Sequence, residues 1–339
     1  MSHPPVTAQT ACRYRALSAG LLSILLTGCS QTPISFLDPQ GPVATAQRHQ
    51  FGLIIALTSI VVLPVLILTP WIVIRYRYGA QSAYRPRWGF SKLADIAIWG
   101  IPFLVVVVLA TVAWRSTLAL DPYRPIQGDQ KTEPLRVQVV GFDWKWLFIY
   151  PDQGIATVNE LVVPAHRPLA LELTSASVMQ GFFIPALGSQ IDVMNRMVTQ
   201  LHLEADHIGE FPGKNMQYNG KGFSHQRFVT RVVDEQTFHN FVAHTGDDGM
   251  TLDARMFDRL MAQNTGRTLA QSLARADVGS NNDGDGKGRD DDAGRLRFGH
   301  LPDDLFSDIV DHVSPDWSSI STESAGVASD VSGSREARP

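Results

Sequence analysis

Apolar positions along this chain fall into two regimes. Phe51 to Ile74 is a run of 24 residues without a charge, and Ile96 to Trp114 is a second run of 19. At 1.5 Å rise per residue each covers a hydrocarbon core of about 30 Å, so the pattern predicts membrane-spanning helices over 51–74 and 93–115. Pro64, Pro70 and Pro102 interrupt the runs, which a membrane helix tolerates better than a soluble one. After a linker over 116–132, carrying Asp121-Pro122-Tyr123-Arg124-Pro125, the period changes to two. Leu135 to Val139, Trp144 to Tyr150, Val158 to Val163, Leu169 to Thr174, Val198 to Leu203 and Phe228 to Val233 are short β-branched or aromatic runs separated by turn residues. Together they predict an antiparallel, all-β sandwich over 133–233.

Helical signals return beyond residue 233. Asp234 caps a segment over Glu235 to His244, and Leu252 to Asn264 is followed by Gly266 as a stop, giving a helical region over 234–276. Residues 277–296 are dense in Asp, Gly and Asn and read as a disordered insert. They resemble a calcium loop only slightly, lacking the closing Glu and flanking helices. Within 297–314, Pro302, Asp303 and Asp304 open a docking helix in which Leu305, Phe306, Ile309, Val310 and Val313 share one face. The Ser-rich stretch 315–339 reads as a disordered tail.

Charge fixes the topology. The chain has a net charge of -4, which excludes nucleic-acid binding by bulk positive charge. Residues 277–339 hold 14 acids against 6 bases, whereas the loop over 75–92 carries Arg75, Arg77, Arg85, Arg87 and Lys92 without an acid. By the positive-inside rule that loop is cytoplasmic, and residues 29–50 and everything after the second span lie in a periplasm-like space. Residues 1–28 agree with this. Arg13 and Arg15 precede a short apolar stretch, Ala16 to Leu26, that ends in Leu26-Thr27-Gly28-Cys29 and resembles a lipoprotein signal peptide with Cys29 as the lipid-bearing residue. An ordinary signal peptide or an uncleaved anchor is the alternative. Cys12 and Cys29 are the only cysteines, so the body of the chain has no disulfide and no thiolate site.

These residues carry a family resemblance. Gly141-Phe142-Asp143-Trp144-Lys145-Trp146, then Ser177-Val178-Met179-Gln180-Gly181-Phe182-Phe183-Ile184-Pro185-Ala186-Leu187-Gly188, then Gly209-Glu210-Phe211 and Gly220-Lys221-Gly222-Phe223-Ser224 follow two spans and a proline-rich link. The chain thus resembles subunit II of the haem–copper terminal oxidases, most nearly the quinol-oxidising, bo-type branch. The resemblance implies a cupredoxin-like sandwich on a two-helix hairpin. In the cytochrome c branch that sandwich holds a dinuclear copper centre with thiolate, imidazole and thioether ligands. Matched to that pattern, the first imidazole position is Gln180 and the two thiolate positions are Asn215 and Asn219. Gln217 stands at the glutamate, Phe223 at the second imidazole and Gln226 at the thioether. His202, His207 and His225 lie nearby without standard ligand spacing, and a metal-free domain is expected. Trp144 and Trp146 fall in the aromatic stretch that receives electrons in the cytochrome c branch, and are expected to serve packing instead.

Asp95 opens the second span. An acid there is favoured by the helix dipole alone. The resemblance adds that Asp95 matches a family glutamate at the mouth of a proton channel into subunit I. The expectation is a non-redox subunit of a proton-translocating ubiquinol oxidase in a bacterial inner membrane. No residue of this chain is expected to be catalytic. Subunit I is expected to hold the haems and one copper, and the other small subunits and the bilayer complete the partners, without cytochrome c. The rivals are a variant cytochrome c oxidase subunit II and a free membrane-anchored lipoprotein.

Overall fold

The computed structural model describes residues 37–77, 90–126, 133–188, 190–279, 289–290 and 294–317. Helix α1 spans Pro42–Arg75 and α2 spans Lys92–Ala119, with mean hydropathies of 2.8 and 2.6 over their most apolar stretches. Both exceed their charge-free runs. Pro42 takes the first helical position of α1, where its missing N–H costs nothing. The polar turns that follow lift the helix start onto the β-domain. There Gln40 N donates to Ala186 O at 2.8 Å and Asp206 N donates to Gln40 O at 2.8 Å. Gly41 is required at this approach, since a Cβ would stand 2.1 Å from Glu204 O. Most side chains of both helices are exposed, Leu66, Ile67, Phe103 and Val106 among them, as lipid- or partner-facing helices require.

Eight strands form one sheet and five the other. The first sheet runs β11 (Met250–Thr251), β13 (Arg295–His300), β3 (Ile155–Val158), β2 (Lys145–Tyr150), β1 (Leu135–Phe142), β5 (Leu169–Ser175) and β8 (Thr199–Leu203), with β12 (Arg289–Asp290) paired to β13. The second runs β4 (Glu160–Pro164), β10 (Arg227–Val233), β9 (Gly209–Asn215), β6 (Gln180–Phe183) and β7 (Ile191–Val193). The sandwich is mixed rather than antiparallel: β1 runs parallel to β5 and β4 parallel to β10. The expected single strand over Val158 to Val163 is two strands in different sheets. The break is Asn159, held at φ 56, whose Oδ1 accepts from Trp146 N at 2.9 Å.

Strand β2 is buried on both faces. Trp146, Phe148 and Tyr150 enter the core between the sheets, and Leu147 and Ile149 enter a second core under the C-terminal elements. Three further helices follow: α3 (Glu235–Asp248), α4 (Ala254–Met261) and α5 (Gly266–Gly279). Gly266 therefore begins a helix rather than stopping one, because the chain turns at Asn264 and Thr265 and Thr265 Oγ1 accepts from Thr268 N. Lys145, fully buried, fastens that turn to β2, donating to Asp143 O at 3.1 Å, Ala262 O at 2.9 Å and Asn264 O at 3.0 Å. Burial lowers its pKa to about 8.

Two boundaries move. Helix α5 enters the segment expected to be disordered, and β12 and β13 leave it, so only residues 280–288 and 291–293 of that insert lie outside the described residues. Helix α6 (Leu305–Asp311) buries Leu305, Phe306 and Ile309, but His312 at φ 56 ends it, so Val313 is 59% exposed and off the expected face. Trp317, in the stretch read as tail, packs on Phe257 with ring centroids 5.6 Å apart. Residues 318–339 lie outside the described residues.

A buried acid joins the sheets. Glu160 on β4 is fully buried and meets Arg231 of β10 at 3.0 Å and Arg297 of β13 at 2.9 Å, with Arg295 at 3.9 Å.

Candidate functional site: a carboxamide cluster

Four of the six positions matched to copper ligands come together. Gln180 opens β6, Asn215 closes β9, Asn219 lies in the following loop, and Gln226 ends a 3-10 turn over Phe223–His225 just before β10. Gln180 and Gln226 are buried to within 1% and Asn215 to within 3%. Gln226 Nε2 donates to Gln180 Oε1 and, at 3.2 Å, to Phe142 O. Gln226 Oε1 accepts from Asn215 Nδ2 at 2.9 Å and from Asn219 Nδ2 at 2.7 Å. Asn215 Oδ1 accepts in turn from Gly181 N at 2.8 Å and Gln217 N at 2.9 Å. Gln180 Nε2 also donates to Phe142 O at 3.2 Å. Gln180, Asn215 and Gln226 thus both donate and accept, as buried polar groups must to avoid a desolvation penalty, whereas Asn219 donates through Nδ2 and its buried Oδ1 has no partner.

The other two positions stand apart. Gln217 is exposed and contributes its backbone N–H only. Phe223 packs its ring on Tyr218, centroids 5.6 Å apart. Of the three histidines, His202 is on β8, where its Nδ1 bonds Pro122 O at 3.0 Å. His207 is exposed in the turn after β8, and His225 ends the 3-10 turn. Among the described residues, no group of three or more His, Cys, Asp or Glu side chains gathers as a metal site would.

Sequence reading missed the support of the loop. Trp144 sits in the β1–β2 turn at φ 68, a conformation that bulky residues rarely adopt. Its Nε1 donates to Asn219 O at 3.2 Å. Its ring lies flat over Gly222, where a Cβ would come within 2.0 Å of it. Trp144 therefore closes the loop that carries Asn219, and the paired Trp-x-Trp in the sequence was its one legible signal. Trp146 lies in the inter-sheet core, edge-on to Phe182 at 5.3 Å.

Asp95 belongs to a separate place. It is exposed in the first turn of α2, where Ser91 caps the helix by accepting from Ala94 N at 3.5 Å. About 36 Å of helix separates it from the end of α2 at the β-domain. Cys29 lies outside the described residues.

Relatives share most of this chain. It is 40% identical over 241 residues to ubiquinol oxidase subunit 2 of Acetobacter aceti, covering 71% of this chain and 78% of that one. It is 41% identical over 238 residues to cytochrome bo(3) ubiquinol oxidase subunit 2 of Pseudomonas putida, covering 70% and 74%. It is 33% identical over 257 residues to quinol oxidase subunit 2 of Bacillus subtilis strain 168, covering 73% and 79%. Among solved structures, the periplasmic domain of subunit II of cytochrome oxidase of Bradyrhizobium japonicum aligns at 25% identity and a TM-score of 0.33, over 35% of this chain and 95% of that one. No family model matches the chain.

Proposed function

The chain belongs to the quinol oxidase subunit 2 family of the haem–copper oxidases, with two transmembrane helices and a cupredoxin-like domain, and we propose that it serves its complex without a copper centre of its own. The observation that carries this reading is the carboxamide cluster. Copper in such a site takes thiolate, thioether and imidazole donors. Four amides already committed to one another through Gln226 do not fit that metal, and no electron step is routed through this domain.

The chain's work is then structural and electrostatic. It caps the outer face of a large subunit that oxidises ubiquinol, reduces oxygen to water and holds the haems and copper. Its hairpin lies in a bacterial inner membrane with the Arg-rich 75–92 loop inside and the β-domain in the periplasm, and Cys29 carries a lipid. Asp95, at the cytoplasmic end of α2, feeds protons toward the large subunit; an ionisable side chain at a membrane edge suits that task. The rival reading, a cytochrome c oxidase subunit, needs a metal relay that these side chains cannot build.

Co-purification in mild detergent followed by a donor assay tests the proposal. A haem-containing partner in equal amount, active with ubiquinol and inert with reduced cytochrome c, is the expected result. A chain that purifies without haem, or a complex that turns over cytochrome c, overturns it.

A further inference from the structure

A cavity of about 250 Å³ opens where the membrane hairpin meets the β-domain. Val43 of α1, Leu120 after α2 and Leu201 of β8 form apolar walls. Three polar side chains complete it: Asp121, Arg124 and His202. The α2 apolar run ends at Trp114, six residues before Leu120, so the cavity stands about 9 Å beyond the hydrocarbon edge. The headgroup layer is about 5–7 Å thick on each side, and helix tilt shortens the rise. Trp114 and Tyr123, 71% and 49% exposed, bracket the cavity as interfacial aromatics do.

The polar groups are arranged by their own hydrogen bonds. The backbone N–H of His202 donates to Pro122 O at 3.1 Å, and its Nδ1 bonds the same oxygen at 3.0 Å. A carbonyl can only accept, so Nδ1 is the nitrogen that donates, and in that tautomer Nε2 is an acceptor. Asp121 Oδ1 accepts from Tyr123 N at 3.0 Å, which fixes its carboxylate at the rim. Arg124 is exposed, and its guanidinium makes no ion pair among the described residues. One cation, one anion and one neutral acceptor line a space too small for a whole drug-sized ligand, which needs about 300 Å³ or more.

We propose that this cavity binds the headgroup of a phospholipid bearing a primary ammonium, with its phosphate on Arg124, its ammonium between Asp121 and His202, and its acyl chains along the exposed apolar flank of α1 and α2. The charge pattern selects the class. An anionic headgroup without an amine would leave Asp121 unpaired, and a quaternary ammonium has no N–H for His202 Nε2. The bound lipid would tie the hairpin to the β-domain beside the α2 end.

The test uses the intact oxidase complex containing this chain. The complex is reconstituted in nanodiscs of phosphatidylethanolamine mixed with phosphatidylglycerol, or of phosphatidylcholine mixed with phosphatidylglycerol, with a trace of a photoactivatable analogue of each zwitterionic lipid. Cross-linked peptides are then mapped. The expected result is phosphatidylethanolamine label on peptides holding residues 119–126 and 201–202, several-fold above phosphatidylcholine label. Arg124→Gln, with haem content unchanged, should cut it about fivefold, the weight of one interfacial arginine. Millimolar inorganic phosphate should not displace it; displacement would make this a free-phosphate site and overturn the lipid assignment. Equal labelling by the two lipids, equal labelling of wild type and variant, or no label because another subunit covers the cavity would each overturn the proposal as well.

Discussion

Gln226 donates its side-chain N–H to the side-chain oxygen of Gln180, joining two segments 46 residues apart in the sequence. The same amide accepts from Asn215 and Asn219, so one residue joins the start of β6, the end of β9 and the loop after β9. Side-chain hydrogen bonds thus cross-link these segments directly.

Gln226→Ala should therefore destabilise the β-domain. It strips partners from the buried amides of Gln180 and Asn215 and from the half-buried amide of Asn219, and each buried orphan costs about 1–3 kcal/mol. At roughly 2–4 °C per kcal/mol for a domain of this size, a melting experiment should show a fall of several degrees. A melting temperature within a degree of wild type would mean that the cluster is not structural.

Two ion-pair sites should differ in weight. Glu160→Gln leaves Arg231 and Arg297 facing a neutral amide in a site where the acid is fully buried. The loss should lie toward the lower end of the ~3–5 kcal/mol typical of a broken buried pair, because both arginines reach solvent. Arg136→Ala breaks a contact whose partners are 63% and 41% exposed, and should cost no more than about 1 kcal/mol. Denaturant titration of both variants checks the contrast.

Lys145 should give the fold an alkaline signature. Burial lowers its pKa from 10.5 to about 8, so between those values the unfolded chain holds the proton more often than the folded one. Stability then rises with pH across that window, by at most about 1.4 kcal/mol per unit from this one group. The wild-type rise should exceed that of Lys145→Met when both are unfolded at pH 8, 9 and 10. Parallel profiles would contradict it.

Asp95→Asn should slow oxygen consumption and proton pumping in the assembled enzyme while leaving haem content intact. Unchanged rates would leave Asp95 as a helix-terminal charge and nothing more.

The hairpin was legible because charge-free runs of 24 and 19 residues admit little else. Strands such as β1 and β5 were legible from their alternation, but not their parallel pairing, since a strand's pattern shows its faces and not its neighbour. β6 and β7, of four and three residues, are too short for a period to register. β9 was hidden by Gly209, Pro212 and Gly213; Pro212 is tolerated because β9 pairs β6 only at Lys214 and Asn215. β13 lay beside an Asp- and Gly-rich stretch and is held by arginines whose acid, Glu160, is 137 residues away from Arg297. At the site, the identities of Gln180, Asn215, Asn219 and Gln226 were readable from the motif. Their mutual bonding was not, because it depends on loop closure by Trp144.

Copper loading of the full chain, separated from its partner subunits in detergent, tests the central claim most directly. After incubation with copper and removal of the excess, elemental analysis should find no stoichiometric metal, and the visible spectrum should stay flat. Copper bound in a fixed ratio to the chain, with intense visible absorption, would contradict the account.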